Sequence, residues 1–218
     1  MEHAFWHARW QSKQIGFHLQ TPNPVLVRWY ERALPVAPGS RVFVPLCGKS
    51  LDVIWLREQG HRVAGIELSP VAVRELFSEH GLVDDAQPAG ALIRHATAGL
   101  DVWEGDVFDL DTKELGAVEG YYDRAALVAL PPALRKRYVD HVTSLLQPGT
   151  RGMLVSFEYQ PSEGGPPFSV AEDEVRALYE PGFHVELLER ADILDAEPRF
   201  RERGITSLYE TAYAVVRR

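Results

Sequence analysis

Cysteine is almost missing from this chain: Cys47 is the only one in 218 residues. A single thiol excludes an internal disulfide and a cysteine-built metal site, and it fits a reducing compartment. Positive charge is in deficit as well. The formal net charge is −8 at pH 7 and the pI is near 5.5, so the summed field disfavours a nucleic-acid backbone or an anionic membrane and favours a small-molecule partner. No apolar run reaches the roughly 18 residues needed to span a bilayer. The start, Met1-Glu2-His3-Ala4-Phe5-Trp6, lacks the basic segment and apolar core of a secretory signal, and a cytoplasmic protein is expected. The eight histidines are scattered. His3 and His7 stand one helical turn apart, but no acid or cysteine set completes a site, so they read as solvated helix-face residues and no metal is expected.

What the chain does have is an alternation of strand and helix patterns. A hydrophobic content of 45% over 218 residues suffices for a sizeable core, and no composition shift marks a boundary, so residues 1–218 read as one domain. Glu2 to Gln14 places Trp6 and Trp10 on one helical face. With a second helix capped by Asn23 and opened by Pro24, it forms a helical extension over residues 1–38 that is a candidate lid. Apolar runs follow at Val42 to Val44, Arg62 to Ile66, Gly116 to Tyr122 and Met153 to Glu158, with helices predicted over Leu51 to Glu58, Val71 to His80 and Pro132 to Leu146. Ala91 to His95 and Leu100 to Glu104 read as a hairpin-like insertion, and Ser169 to Glu172 as a capping box. Pro161 to Pro167 is the most loop-like piece and a second candidate for a moving element. Phe183 to Leu188 and Ser207 to Val216 close the chain as an antiparallel edge. The pattern is that of an α/β protein with a mostly parallel sheet covered on both faces.

The segment Arg41 to Ser69 carries the functional signal. It reads as strand, tight turn at Leu46-Cys47-Gly48, helix, and second strand ending in Glu67. In a βαβ unit the cofactor sits beyond the carboxyl ends of the strands, and an acid about 20 residues past the glycine turn accepts hydrogen bonds from ribose hydroxyls. Gly48-Lys49-Ser50 resembles the end of a phosphate loop, but such a loop needs a glycine where Phe43 stands. The dinucleotide fingerprint needs three glycines, and P-L-C-G-K-S has one. A cofactor with ribose and adenine but no pyrophosphate fits better, of which S-adenosylmethionine is the common one. The alternative is an ordinary α/β core with a surface Glu67.

The strand ends at Leu46, Glu67, Asp106 and Asp123-Arg124 resemble those of class I S-adenosylmethionine-dependent methyltransferases. The W-x-x-x-W of Trp6 and Trp10, then Ile15-Gly16-Phe17-His18, P-L-C-G-K-S, G-I-E-L-S, G-D-V-F-D-L, Y-D-R-A-A-L-V-A-L-P and G-I-T-S-L-Y-E resemble, in this order, the bacterial form of the thiopurine S-methyltransferase family. The resemblance spans nearly the whole chain. It implies a Rossmann-like, mostly parallel seven-stranded sheet with helices on both faces and an antiparallel C-terminal hairpin. It also implies S-adenosylmethionine as cofactor, S-adenosylhomocysteine as product, and a thiol or chalcogen compound as acceptor.

Carried over by residue, cofactor contacts fall on Trp10, Leu46, Gly48, Glu67, Asp106, Val107 and Arg124, and acceptor contacts on Phe17 and Arg199. Arg124 is also a candidate for assisting the chemistry, and His18, next to Phe17, is a candidate for helping to deprotonate a thiol. Each has a plainer alternative: a packing stripe for the tryptophans, an ion pair with Asp123 or another acid for Arg124, a solvated charged segment for Arg199, a surface position for His18. Cys47 reads as a small turn residue rather than a nucleophile. Rival functions are methyl transfer to selenium or tellurium compounds, halides or small thiols, a non-catalytic cofactor-binding protein, and a nicotinamide oxidoreductase, the last weakened by the missing glycines. A monomer is expected.

Overall fold

The structure, a computed structural model, describes residues 3–162 and 164–218. The chain divides into two compact units, Met1–Arg28 with Val36–Tyr122 and Trp29–Pro35 with Asp123–Arg218.

The first unit begins with α1 (His3–Gln11) and the start of α2 (Pro24–Ala33). Asn23 caps α2 as expected, its Oδ1 accepting from the N–H groups of Val25 at 2.8 Å and Leu26 at 3.1 Å, with Pro24 pre-set for the first turn. Then come β1 (Arg41–Pro45), α3 (Leu51–Glu58), β2 (Arg62–Glu67) and α4 (Pro70–Glu79), the last capped by Ser69. They are followed by β3 (Asp85–Ala89), β4 (Leu92–Thr97), β5 (Leu100–Glu104), α5 (Thr112–Leu115) and β6 (Gly120–Arg124), whose last two residues belong to the second unit. The strand order is β3-β4-β5-β2-β1-β6. β2 runs parallel to both β1 and β5, with Pro45 beside Ile66 and Glu67 beside Glu104, so the chain leaves these three strands at a common edge. Val73, Leu76 and Phe77, the predicted inner face of α4, are buried, as are Val42, Phe43, Ala64, Ile66 and Val102 of the strands.

Three elements depart from expectation. β5 is one arm of the expected hairpin with β4 and also the parallel neighbour of β2, so it belongs to the central sheet. β3 was hidden because four of its five residues are exposed and it contains Pro88, the composition of a blunted edge strand. β6 starts at Gly120 rather than Gly116, since Asp111 caps the short α5 by accepting from the Glu114 N–H at 2.9 Å and Gly116 ends it at φ 71°.

The second unit holds α6 (Ala126–Ala129), α7 (Pro132–Leu145), β7 (Arg151–Gln160), α8 (Glu172–Tyr179), β8 (Phe183–Asp192), α9 (Pro198–Glu202) and β9 (Ser207–Arg217). β9 lies between β7 and β8 and is antiparallel to both, the expected closing arrangement. The described residues therefore form an α/β protein with nine strands, two more than the seven expected. Ser169 does not cap α8, whose N-cap is Ala171. Its hydroxyl accepts from the Tyr159 N–H at 2.9 Å and lies 3.2 Å from the Tyr159 carbonyl, so the S-x-x-E pattern is spent on the edge of β7 instead.

Asp52, 1% exposed in the first turn of α3, links separate parts of the first unit. Its carboxylate accepts from the Asn23 N–H at 2.6 Å and from the Tyr122 hydroxyl at 3.0 Å. Truncating one side of a buried hydrogen bond strands the other, at about 1–3 kcal/mol. Asp52→Ala is therefore expected to lower the unfolding free energy by about that amount. An unshifted urea midpoint would show that the link contributes nothing.

Candidate active site

The turn after β1 is built on two residues with positive φ, Leu46 at 47° and Gly48 at 53°. A leucine there is strained by roughly 1–2 kcal/mol, so the surrounding bonds must hold it. The Cys47 N–H donates to the Ile66 carbonyl at 3.0 Å, and the Gly48 N–H donates to Glu67 Oε2 at 2.9 Å. The other Glu67 oxygen accepts from the Ser69 N–H at 2.8 Å. Glu67 is only 6% exposed, and burial raises its carboxyl from 4.5 to about 7 despite the backbone donors that favour its anion. Lys49 ties the turn to α4 through Glu75 at 2.7 Å and Glu79 at 2.5 Å. Cys47 packs where a Cβ on Gly65 would stand 2.8 Å from its sulfur. Burial, with Glu67 nearby, pushes its thiol well above the ordinary range, which removes the thiolate a nucleophile needs.

α1 meets this turn. Trp10 is 4% exposed, and its Cζ2 lies 3.0 Å from where a Cβ on Gly48 would be, so glycine is required there both by backbone conformation and by the indole. Phe17 stands edge-on to Trp10 at 5.6 Å and to Trp6 at 5.9 Å between ring centroids. Trp6 thus supports Phe17. At the other end of α1, His3 Nε2 lies 2.9 Å from Asp106 Oδ2, while Asp106 Oδ1 accepts from the Phe108 N–H at 3.0 Å and Val107 is buried. The histidine expected to be solvated instead joins α1 to the Asp106 turn. The first unit therefore brings together Trp10, Phe17, Leu46, Gly48 and Glu67, and binds α1 to the Asp106-Val107 turn.

Arg124 and Arg199 belong to the second unit. Arg124 is half-buried at the end of β6, followed by Ala125 in a left-handed conformation with φ 70°. Arg199 is exposed on α9, its Nε donating to Glu197 Oε2 at 2.8 Å. Sequence reasoning missed His3 and Lys49. Nothing local marks His3, whose partner is 103 residues away. Lys49 had a signal, because Glu75 and Glu79 are spaced to share one face of α4.

A buried carboxylate at a strand end, set under a one-glycine turn with an indole against it, fits a ribose-bearing cofactor without a diphosphate. The fold is that of S-adenosylmethionine-dependent methyltransferases. A solved 1,6-didemethyltoxoflavin-N1-methyltransferase of Burkholderia thailandensis, with bound S-adenosylhomocysteine, superposes with a TM-score of 0.66 at 16% identity, over 99% of this chain and 86% of that one. A methyltransferase of Anabaena variabilis gives 0.65 at 14% identity, over 99% of this chain and 95% of that one. In sequence, a thiopurine S-methyltransferase of Pseudomonas aeruginosa is 44% identical and one of Pseudomonas entomophila 47%, each over the full length of both chains. The model of the thiopurine S-methyltransferase family matches residues 1–218. This chain belongs to that family, whose cofactor is S-adenosylmethionine.

The Glu67 value gives a pH dependence with a definite sign. The native state keeps this proton up to about pH 7 while an exposed carboxyl releases it near 4.5, so the group's contribution to stability is full below 4.5 and is lost as pH rises to about 7. Were Glu67 to accept from two ribose hydroxyls, cofactor binding would run the other way, because such donors prefer the anion. Affinity for S-adenosylhomocysteine, measured calorimetrically, is expected to tighten from pH 6 to 8 and then level off. In Glu67→Gln it should be weaker and flat across this range; an unchanged slope would assign the dependence to another group.

Proposed function

We propose that this protein transfers the methyl group of S-adenosylmethionine to the sulfur of aromatic or heterocyclic thiols, thiopurines among them. The observation that carries the reading is the family match over the whole chain. Glu67 holds the ribose hydroxyls, the Leu46 carbonyl accepts from the cofactor's ammonium group, and the turn of Asp106, Val107 and Phe108 flanks the adenine beside the Gly48 backbone. The Trp10 ring supplies an electron-rich face for the sulfonium. Phe17, braced by Trp6 and Trp10, forms an aromatic wall for the acceptor. Arg124 and Arg199 supply guanidinium charge that favours an anionic sulfur.

Bound S-adenosylmethionine would supply an electrophilic methyl group, the bond to the acceptor sulfur forming as the methyl–sulfonium bond breaks and S-adenosylhomocysteine leaves. No strong base is required of the protein, since aromatic thiols ionise readily and a neighbouring cation favours the anion further. Opposite charges cancel as thiolate and sulfonium react, so a water-poor aromatic site does not oppose the step. Positioning then carries the catalysis, with about 7–11 kcal/mol available from well-oriented reactants. Residues 1–38 act as a lid on a single methyltransferase domain, α1 being anchored at His3 and at Trp10. The protein works as a cytoplasmic monomer on a small molecule, without nucleic acid or membrane. No helix among its described residues is long and apolar enough to cross a membrane.

The test is the ultraviolet absorbance change of 6-mercaptopurine with S-adenosylmethionine and the purified protein, the S-methyl product confirmed by mass. Tight S-adenosylhomocysteine binding without that product would shift the acceptor to selenium, tellurium, halide or small-thiol compounds. If α1 is the lid, His3→Ala should speed S-adenosylhomocysteine release in stopped-flow fluorescence several-fold while leaving the thermal midpoint nearly unchanged. An unaltered release rate would refute the lid.

A further inference from the structure

We propose that Asp123, Tyr138 and Tyr179 are positioning residues that set the placement of Arg124 during methyl transfer; this rests on the role given to Arg124 above. Asp123 is wholly buried, yet its carboxylate is well supplied with donors: the Tyr138 hydroxyl at 2.7 Å, the Tyr179 hydroxyl at 3.2 Å and the Leu127 N–H at 3.2 Å. Both phenols are themselves 0% exposed. The donors come from three elements, α7, α8 and the first turn of α6, and converge on the residue immediately before Arg124.

The residue after Arg124 is constrained too. Ala125 has φ 70° and ψ −3°, a left-handed conformation unfavourable for alanine, and its own side chain caps nothing. The Leu127 N–H donation to Asp123 bridges that strained residue and satisfies an otherwise orphaned donor at the start of α6. Arg124 is therefore held between a carboxylate fixed by three donors and a turn kept in an unfavourable conformation by the same carboxylate. An arginine side chain is long and flexible, and a shift in its Cα–Cβ direction is amplified at the guanidinium. In a reaction that depends on positioning, a displacement near 1 Å costs about 100-fold.

Tyr138→Phe and Tyr179→Phe each remove one hydroxyl and keep the ring. With a thiol acceptor, Tyr138→Phe is expected to lower kcat/KM about tenfold, within the range set by small misplacements, and Tyr179→Phe less, in keeping with its longer bond. The discriminating readout is a double-mutant cycle with Arg124→Lys. If the phenols act through Arg124, Tyr138→Phe costs little further in the Arg124→Lys background. An equal loss in both backgrounds, or no loss in the native one, overturns the positioning role while the reading of Arg124 stands. Full activity of Arg124→Lys by itself overturns that reading and the inference with it. Thermal denaturation and near-ultraviolet circular dichroism accompany each variant, and Tyr179→Phe takes the place of Tyr138→Phe in the cycle if the latter fails to fold.

Discussion

The buried carboxylate of Glu67 is the constraint on which the candidate site depends. Its two oxygens draw in the N–H groups of Gly48 and Ser69, joining the turn after β1 to the start of α4. A carboxylate this deep is tolerated only with such donors, and the strained Leu46 persists because the turn around it is bonded on both sides. Lys49 adds a second tie from the same turn to α4. The result is a turn with little freedom before any cofactor arrives. Preorganisation of that kind reduces the ordering cost of binding.

Much of this was legible in the chain because the signals were local. Asn23-Pro24 and Ser69-Pro70 announce helix starts through capping oxygens and a pre-set φ, and both helices begin there. The spacing from Gly48 to Glu67 pointed to a ribose acid, and the two residues prove to be hydrogen-bonded to each other. Legibility failed where partners are distant or signals ambiguous. The His3 to Asp106 contact leaves no periodic trace, and β3 lacks the buried alternation that would mark it. At Ser169 the local motif was genuine as a pattern but lost to a competing backbone partner on β7. The roles proposed for Arg124 and Arg199 rest on resemblance, since neither position shows in sequence how its guanidinium is held.

The second unit organises itself differently. Phe157, Tyr159, Phe200, Ile205 and Leu208 pack together, and Phe200 fixes the short α9 that carries Arg199. The Tyr159 hydroxyl lies 2.8 Å from the Pro167 carbonyl and 3.1 Å from that of Gly164, tethering a proline- and glycine-rich loop that sequence alone marked as the freest piece of the chain. Arg203 stacks over Tyr159 and Phe200, with its guanidinium carbon 5.9 and 5.4 Å from the ring centroids. Few residues of this segment are apolar, yet the aromatic pair gives it a defined seat.

The placement of sulfur in this chain has a consequence of its own. A protein that alkylates thiols exposes itself to its own chemistry and to the electrophiles that accompany reactive sulfur compounds. Its one thiol, Cys47, lies sealed against Gly65 and is held in the protonated, unreactive form, while Met153 is buried in β7. Burial thus keeps Cys47 and Met153 from competing with the acceptor.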